Sequence, residues 1–142
     1  MTLAGPQADL RAAPAAARRA WTATVTINGK PVRVECTRSA AQRLAERAQP
    51  LVLELDLFFS CLVKKQVRVH DAAPSGRETV RVTDRLELYF RAVTSTACSM
   101  ELAERLGGQP ETEIDTPVTR RFAPKRARLD VVRGEWQAAF WM

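Results

Sequence analysis

Leu51-Val-Leu-Glu-Leu-Asp-Leu-Phe-Phe-Ser-Cys-Leu-Val-Lys-Lys-Gln-Val-Arg-Val69 is the stretch whose reading decides the fold. Its odd positions are Leu51, Leu53, Leu55, Leu57, Phe59, Cys61, Val63, Lys65, Val67 and Val69. Its even positions include Glu54, Asp56, Ser60, Lys64 and Arg68. Alternation with period two puts one set in a core and the other in water, the signature of a half-buried strand. A second run behaves the same way. Val80, Val82, Asp84, Leu86, Leu88, Phe90 and Ala92 share one face, and Arg81, Thr83, Arg85, Glu87 and Arg91 the other. Pro74-Ser75-Gly76 supplies turn residues between the two.

The simplest pairing is one long antiparallel hairpin, with Val69 opposite Val80, Val67 opposite Val82, Val63 opposite Leu86 and Cys61 opposite Leu88. That register sets Lys65 opposite Asp84, so the polar interruptions of the two apolar faces form a structural ion pair. A slip of one residue would turn the apolar set outward. The alternative leaves Lys65 at a bulge with its ammonium in solvent. Nineteen residues at about 3.3 Å each span about 60 Å, too long for one domain of this size. The strands must therefore bend or break, and Ser60–Lys65 is the candidate break.

On the N-terminal side, Trp21–Ile27 is rich in β-branched residues, and Pro31–Thr37 alternates. Asn28-Gly29 joins them; both residues tolerate positive φ, so a type I′ hairpin is predicted. Ser39-Ala-Ala-Gln42 reads as a capping box. The helix it opens is predicted to run to about Gln49, before Pro50, with Ala40, Ala41, Leu44 and Ala48 inward.

On the C-terminal side, Ala97, Met100, Leu102 or Ala103, and Leu106 recur at helical spacing from Thr96 to Leu106, and Gly107-Gly108 stops the helix. Residues 109–117 read as a loop. Strands are predicted at Val118–Phe122, Arg126–Val132 and Trp136–Trp141, with a turn at Arg133-Gly134. The fold class is α+β: a largely antiparallel twisted sheet of about six strands with two short helices in the order ββαββαββ, whose inner part has the ferredoxin-like split βαβ order. Residues 1–20, rich in Ala, Pro and Arg, read as a flexible arm, and 21–142 as a single domain.

Composition excludes several classes. The chain has 142 residues, 46% hydrophobic and 27% charged, with six glycines and three cysteines. That is neither collagen nor a disulfide scaffold. No apolar run reaches the roughly 20 residues of a membrane helix, and the N-terminus lacks a secretory pattern. The odd, widely spaced cysteines point to a reducing cytoplasm, and the arginine bias to a GC-rich bacterial source. The net charge of +6 is unevenly placed. Residues 21–117 carry thirteen basic and thirteen acidic side chains, whereas residues 118–133 carry six basic and one acidic.

His70 is the only histidine, so Ser-His-Asp or Cys-His chemistry would have to use it. Asp71 points away from it on a strand, as does Cys61, and a surface histidine is the plainer reading. No close pair among Cys36, Cys61 and Cys98 suits a metal site, and no cofactor is implied. Cys36 and Cys61 read as small core residues. Cys98 sits in Thr94-Ser-Thr-Ala-Cys-Ser99, where a helix N-terminus would favour its thiolate; a hydroxyl-rich cap beside a partly buried cysteine is the plainer alternative. Glu54 and Asp56 read as cross-strand ion pairs on a solvated face, with Arg91 near Asp56.

Arg120-Arg121-Phe-Ala-Pro-Lys125-Arg126-Ala-Arg128 is the most distinctive stretch. Arginines beside aromatics suit phosphates and bases; pairing with Glu111, Glu113 and Asp115 is the competing explanation. Trp136-Gln-Ala-Ala-Phe-Trp-Met142 is unusually apolar for a terminus. Trp136, Phe140 and Met142 are expected inward and Trp141 outward, with Trp136, Phe140 and Trp141 as interface residues if a second copy binds there. Three functional readings follow. The first is a non-enzymatic binding protein acting as a homodimer. The second is nucleic-acid or anionic-ligand binding through Arg120, Arg121, Lys125, Arg126 and Arg128. The third is a thiol-dependent enzyme or redox protein using Cys98, with His70 as the other catalytic candidate.

Overall fold

The computed structural model describes residues 18–59, 63–95 and 111–142. The helix predicted over Thr96–Leu106, Cys61 and Cys98, and the arm up to residue 17, lie outside the described residues.

Trp21–Ile27 forms β1 and Lys30–Cys36 forms β2, an antiparallel pair. Asn28 and Gly29 turn it with φ of 51° and 76°, as the Asn-Gly signal requires. The helix that follows, α1, spans Arg38–Ala45. Its N-cap is Thr37, whose hydroxyl accepts the Ala40 N–H at 3.2 Å, so the expected Ser39 cap is corrected by two residues. Tertiary contacts decide this. The same Thr37 hydroxyl donates to Asp130 at 2.7 Å, and the Thr37 N–H reaches the Leu129 carbonyl at 3.1 Å. Ala40, Ala41, Leu44 and Ala45 are buried, whereas Ala48 lies past the helix end and is exposed.

Leu51–Phe59 forms β3 and Val63–His70 forms β4, so the long run does break where expected. The pairing differs, however. β3 and β4 form an antiparallel pair with each other, with Leu53 opposite Val69 and Leu57 opposite Lys65. β5 (Val80–Thr83) and β6 (Leu86–Ser95) are also antiparallel neighbours, and β6 runs parallel to β3, with Leu51 beside Leu86 and Leu55 beside Phe90. The hairpin that would join Lys65 to Asp84 is not formed. Asp84 lies in the turn between β5 and β6, and the Lys65 ammonium lies 5.9 Å from the Phe140 ring centroid. The physical reason is that alternation assigns a side chain to a face and is silent on strand direction. β3 is buried on both faces from Leu51 to Phe58, as suits a central strand with a parallel neighbour.

Glu111–Ile114, expected as loop, forms β7 against β6. Thr119–Arg121, expected as strand, is a 3₁₀ turn. The Thr116 and Thr119 hydroxyls accept each other's backbone N–H at 3.2 and 2.9 Å, which closes the chain locally instead of extending it. Arg126–Val132 (β8) and Glu135–Trp141 (β9) form the expected hairpin, turning at Arg133 and Gly134 with φ of 53° and 78°.

The architecture is α+β and mostly strand. The single antiparallel sheet of about six strands and the ferredoxin-like order are both corrected: nine strands and one α-helix are formed among the described residues. They make two mixed sheets, β1-β2-β8-β9 and β4-β3-β6-β5, with β7 also on β6. β2 and β8 are parallel, with Arg33 beside Arg126 and Glu35 beside Arg128. The sheets share one core. Val32, Val34, Ala127, Leu129 and Phe140 meet Leu53, Leu55, Leu57, Leu86 and Leu88, and α1 adds Ala40, Ala41 and Leu44.

Candidate functional site

The basic segment does not act as one block. Arg120 turns to Asp115, donating from Nε at 2.7 Å and Nη2 at 3.1 Å, so the pairing with the acidic stretch upstream holds for this residue. Arg121 is exposed, and its carbonyl accepts from the Lys30 ammonium. Asn28 ties the same segment to the first hairpin by donating to the Phe122 carbonyl at 2.8 Å. Lys125 is clamped by its backbone, with its carbonyl accepting from Arg33 at 3.0 Å and its N–H donating to Trp141 at 2.7 Å.

Strand alternation then sorts β8. Ala127 and Leu129 enter the core, while Arg126 and Arg128 stand on the outer face of the first sheet. Register decides their neighbours. Arg33, Arg126 and Trp141 lie side by side across β2, β8 and β9; Glu35, Arg128 and Ala139 form the next row. Rows on one face repeat about every 6.6 Å along the strands, and neighbouring strands are about 4.8 Å apart. Lys30, Arg33, Arg121, Lys125, Arg126 and Arg128 are all exposed. Glu35 is the carboxylate among them, 3.4 Å from Arg33 and 3.9 Å from Arg126. Surface ion pairs of this kind hold little energy. Asp130, further along β8, is occupied by the Thr37 hydroxyl and the Val131 N–H, which lower its pKa.

Trp141 is 36% exposed, and the Arg126 guanidinium sits 3.9 Å from its ring centroid. Of the expected interface residues, Phe140 is buried and Trp136 packs partly buried on the core, with Arg43 5.8 Å from its ring. Met142 was expected inward and is 37% exposed. Arg33 and Lys30 escaped the sequence reading. Alternation in Pro31–Thr37 already puts Arg33 outward, but only the parallel β2–β8 register brings it to Arg126.

The second sheet carries a different cluster. Glu54 and Asp56 were expected on a solvated face, yet Asp56 is fully buried and Glu54 is 5% exposed. Asp56 accepts from Arg91 Nε at 2.7 Å and Nη2 at 3.2 Å. Glu54 accepts from His70 at 2.9 Å, Arg68 at 3.3 Å and the Tyr89 hydroxyl, and Arg91 lies 3.1 Å away. Burial pushes the Asp56 carboxyl up to about 6, and the Glu54 charge adds to this against Arg91. Burial also opposes ionisation of Glu54, but hydrogen bonds from Asp56, Tyr89 and His70 and the Arg91 charge outweigh it and hold Glu54 low. His70 is thus a partner of a buried carboxylate, and it shares Glu54 Oε1 with the Tyr89 hydroxyl.

β5 pairs with β6 over Leu86–Leu88 and β7 over Ala92–Ser95, both on the edge that β3 leaves open. Tyr89–Arg91 therefore has no strand on that edge among the described residues. A cavity of about 480 Å³ opens there, lined by Asn28, Arg77, Tyr89, Arg91, Glu113 and Arg120 among others. No helix among the described residues is long and apolar enough to cross a membrane. The chain matches no family model, no curated protein and no solved structure.

Proposed function

We propose that this protein binds single-stranded nucleic acid across the outer face of its first sheet, without catalysis. The observation that carries this reading is the row Arg33, Arg126 and Trp141, continued by Arg128 in the next row. Charge alone attracts any polyanion. An aromatic ring and a planar guanidinium stacked on it add a surface that accepts the face of any base. Lys30, Arg121 and Lys125 extend the positive surface at the end where the first hairpin and the 121–125 segment meet.

Fluorescence anisotropy with a labelled mixed-sequence single strand tests this. The pair Arg126→Glu and Arg128→Glu is expected to abolish binding at low salt, while Arg120→Glu, which alters the Asp115 pair on the cleft side, leaves it unchanged. Equal loss in both variants would contradict the assignment of the surface.

A homodimer remains a second reading, favoured by one observation. β9 is an edge strand, and its end leaves Trp141 and Met142 partly exposed. A second copy adding a strand there would bury both. Light scattering across a concentration series decides it: a constant monomer mass removes this reading.

A further inference from the structure

Arg77 occupies a site whose parts suit any guanidinium. Its Nη1 donates to Glu113 Oε2 at 3.1 Å and its Nη2 to Glu113 Oε1, a two-pronged grip. Its guanidinium carbon lies 4.8 Å from the Tyr89 ring centroid. The Tyr89 ring is itself held in place, stacked with His70 and bonded through its hydroxyl to Glu54. Carboxylate and ring stand on β7 and β6, which are paired strands.

The occupant stands on quite different ground. Residues 71–79 contain no strand or helix. A single turn, the Arg77 N–H on the Pro74 carbonyl at 3.1 Å with Gly76 at φ 75°, shapes the backbone at Arg77. Beside the site lie the 480 Å³ cavity and the β6 edge at Tyr89–Arg91, which pairs with no strand among the described residues. A rigid receptor, a tethered occupant and adjoining space for a main chain occur together.

We propose that Arg77 is a resident stand-in, and that the cleft binds an arginine side chain presented by an extended segment of a partner polypeptide. The partner's guanidinium takes the place of Arg77 between Glu113 and Tyr89, the 71–79 loop moves aside, and the partner's backbone lies along the open β6 edge. Charge complementarity selects the ligand, because Arg77 is the two-pronged cation on Glu113, and Arg91, 3.9 Å away, is the more distant one that stays when Arg77 leaves. Arg77, Tyr89 and Glu113 lie off the first sheet, so the proposal stands or falls independently of nucleic-acid binding.

Calorimetry with the peptide Gly-Gly-Arg-Gly-Gly and its citrulline counterpart tests it on the full chain. Citrulline keeps the shape of arginine and removes the charge. Arg77→Ala vacates the site, so it is expected to bind the arginine peptide at least about tenfold more tightly than the wild type does, since self-occupancy divides the wild-type affinity. It should bind the citrulline peptide about tenfold more weakly than the arginine peptide. Adding Glu113→Gln should erase that preference. If Arg77→Ala does not fold, Arg77→Gln serves, since its amide cannot grip Glu113 with two charged donors. A folded variant that treats the two peptides alike, or a preference that survives Glu113→Gln, overturns the proposal.

Discussion

Arg126 holds its guanidinium 3.9 Å from the centroid of the Trp141 ring, across the β8–β9 register that sets the two residues opposite each other. The contact keeps a long side chain in one place on an open sheet face, so less of its freedom is lost when a ligand arrives. It also joins the two features that a base needs, a flat surface and positive charge. Trp141→Leu is therefore expected to weaken single-strand binding by about 1–3 kcal/mol, roughly 5- to 150-fold. Duplex of the same charge, whose bases are already stacked, should be nearly unaffected. Anisotropy with matched single and double strands checks this.

Thr37 caps α1 and also donates to Asp130 on β8. Thr37→Ala loses both bonds, and a cost of about 1–2 kcal/mol is expected. Ser39→Ala, inside the first turn, should change stability by less than about 0.5 kcal/mol. Urea unfolding of the two variants separates them; equal costs would restore Ser39 as the cap.

Asp56 lies fully buried against Arg91. Asp56→Ala takes the two-pronged acceptor from that arginine, which keeps Glu54 at 3.1 Å, and a loss of about 2–3 kcal/mol is expected. The pH dependence has a definite sign. The folded Asp56 carboxyl titrates at about 6, against the usual 3.8 of the unfolded chain. In that window the folded state holds more protons, so this group's contribution to stability falls as pH rises from about 4 to about 6. Glu54 works oppositely: held low, it contributes above its usual 4.5 and loses that contribution as pH falls. Melting curves of the wild type and Asp56→Asn between pH 4 and 7 check this. The wild-type decline should be missing in Asp56→Asn, and parallel curves would contradict it.

Burial, with the Asp130 charge adding, pushes the Cys36 thiol up to about 12. At neutral pH, Cys36 should resist iodoacetamide in the native protein and react once urea unfolds it. Peptide mapping by mass spectrometry reads this site alone.

Faces were legible in the sequence, and partners largely were not. Alternation correctly placed Leu53, Leu55, Leu86 and Leu88 in the core. Asn28-Gly29 and Arg133-Gly134 marked two hairpins because turn chemistry is local. The parallel pairs β3–β6 and β2–β8 could not be read, since period two is the same in either strand direction. That one gap explains the lost Lys65–Asp84 pair and the unseen Arg33–Arg126 neighbourhood. It also hid the buried Glu54–Asp56 cluster, because residues that look solvated on an edge strand are enclosed on a central one.

The most direct test of nucleic-acid binding is the affinity for a labelled mixed-sequence single strand measured from 25 to 200 mM salt. With roughly three to five phosphates contacted by the outer face of the first sheet, log affinity should fall with log salt at a slope of about −2 to −4. The slope should become shallower by about 0.7 for each of Arg33→Ala and Arg128→Ala. No binding at 25 mM, or an affinity that does not change with salt, would contradict it.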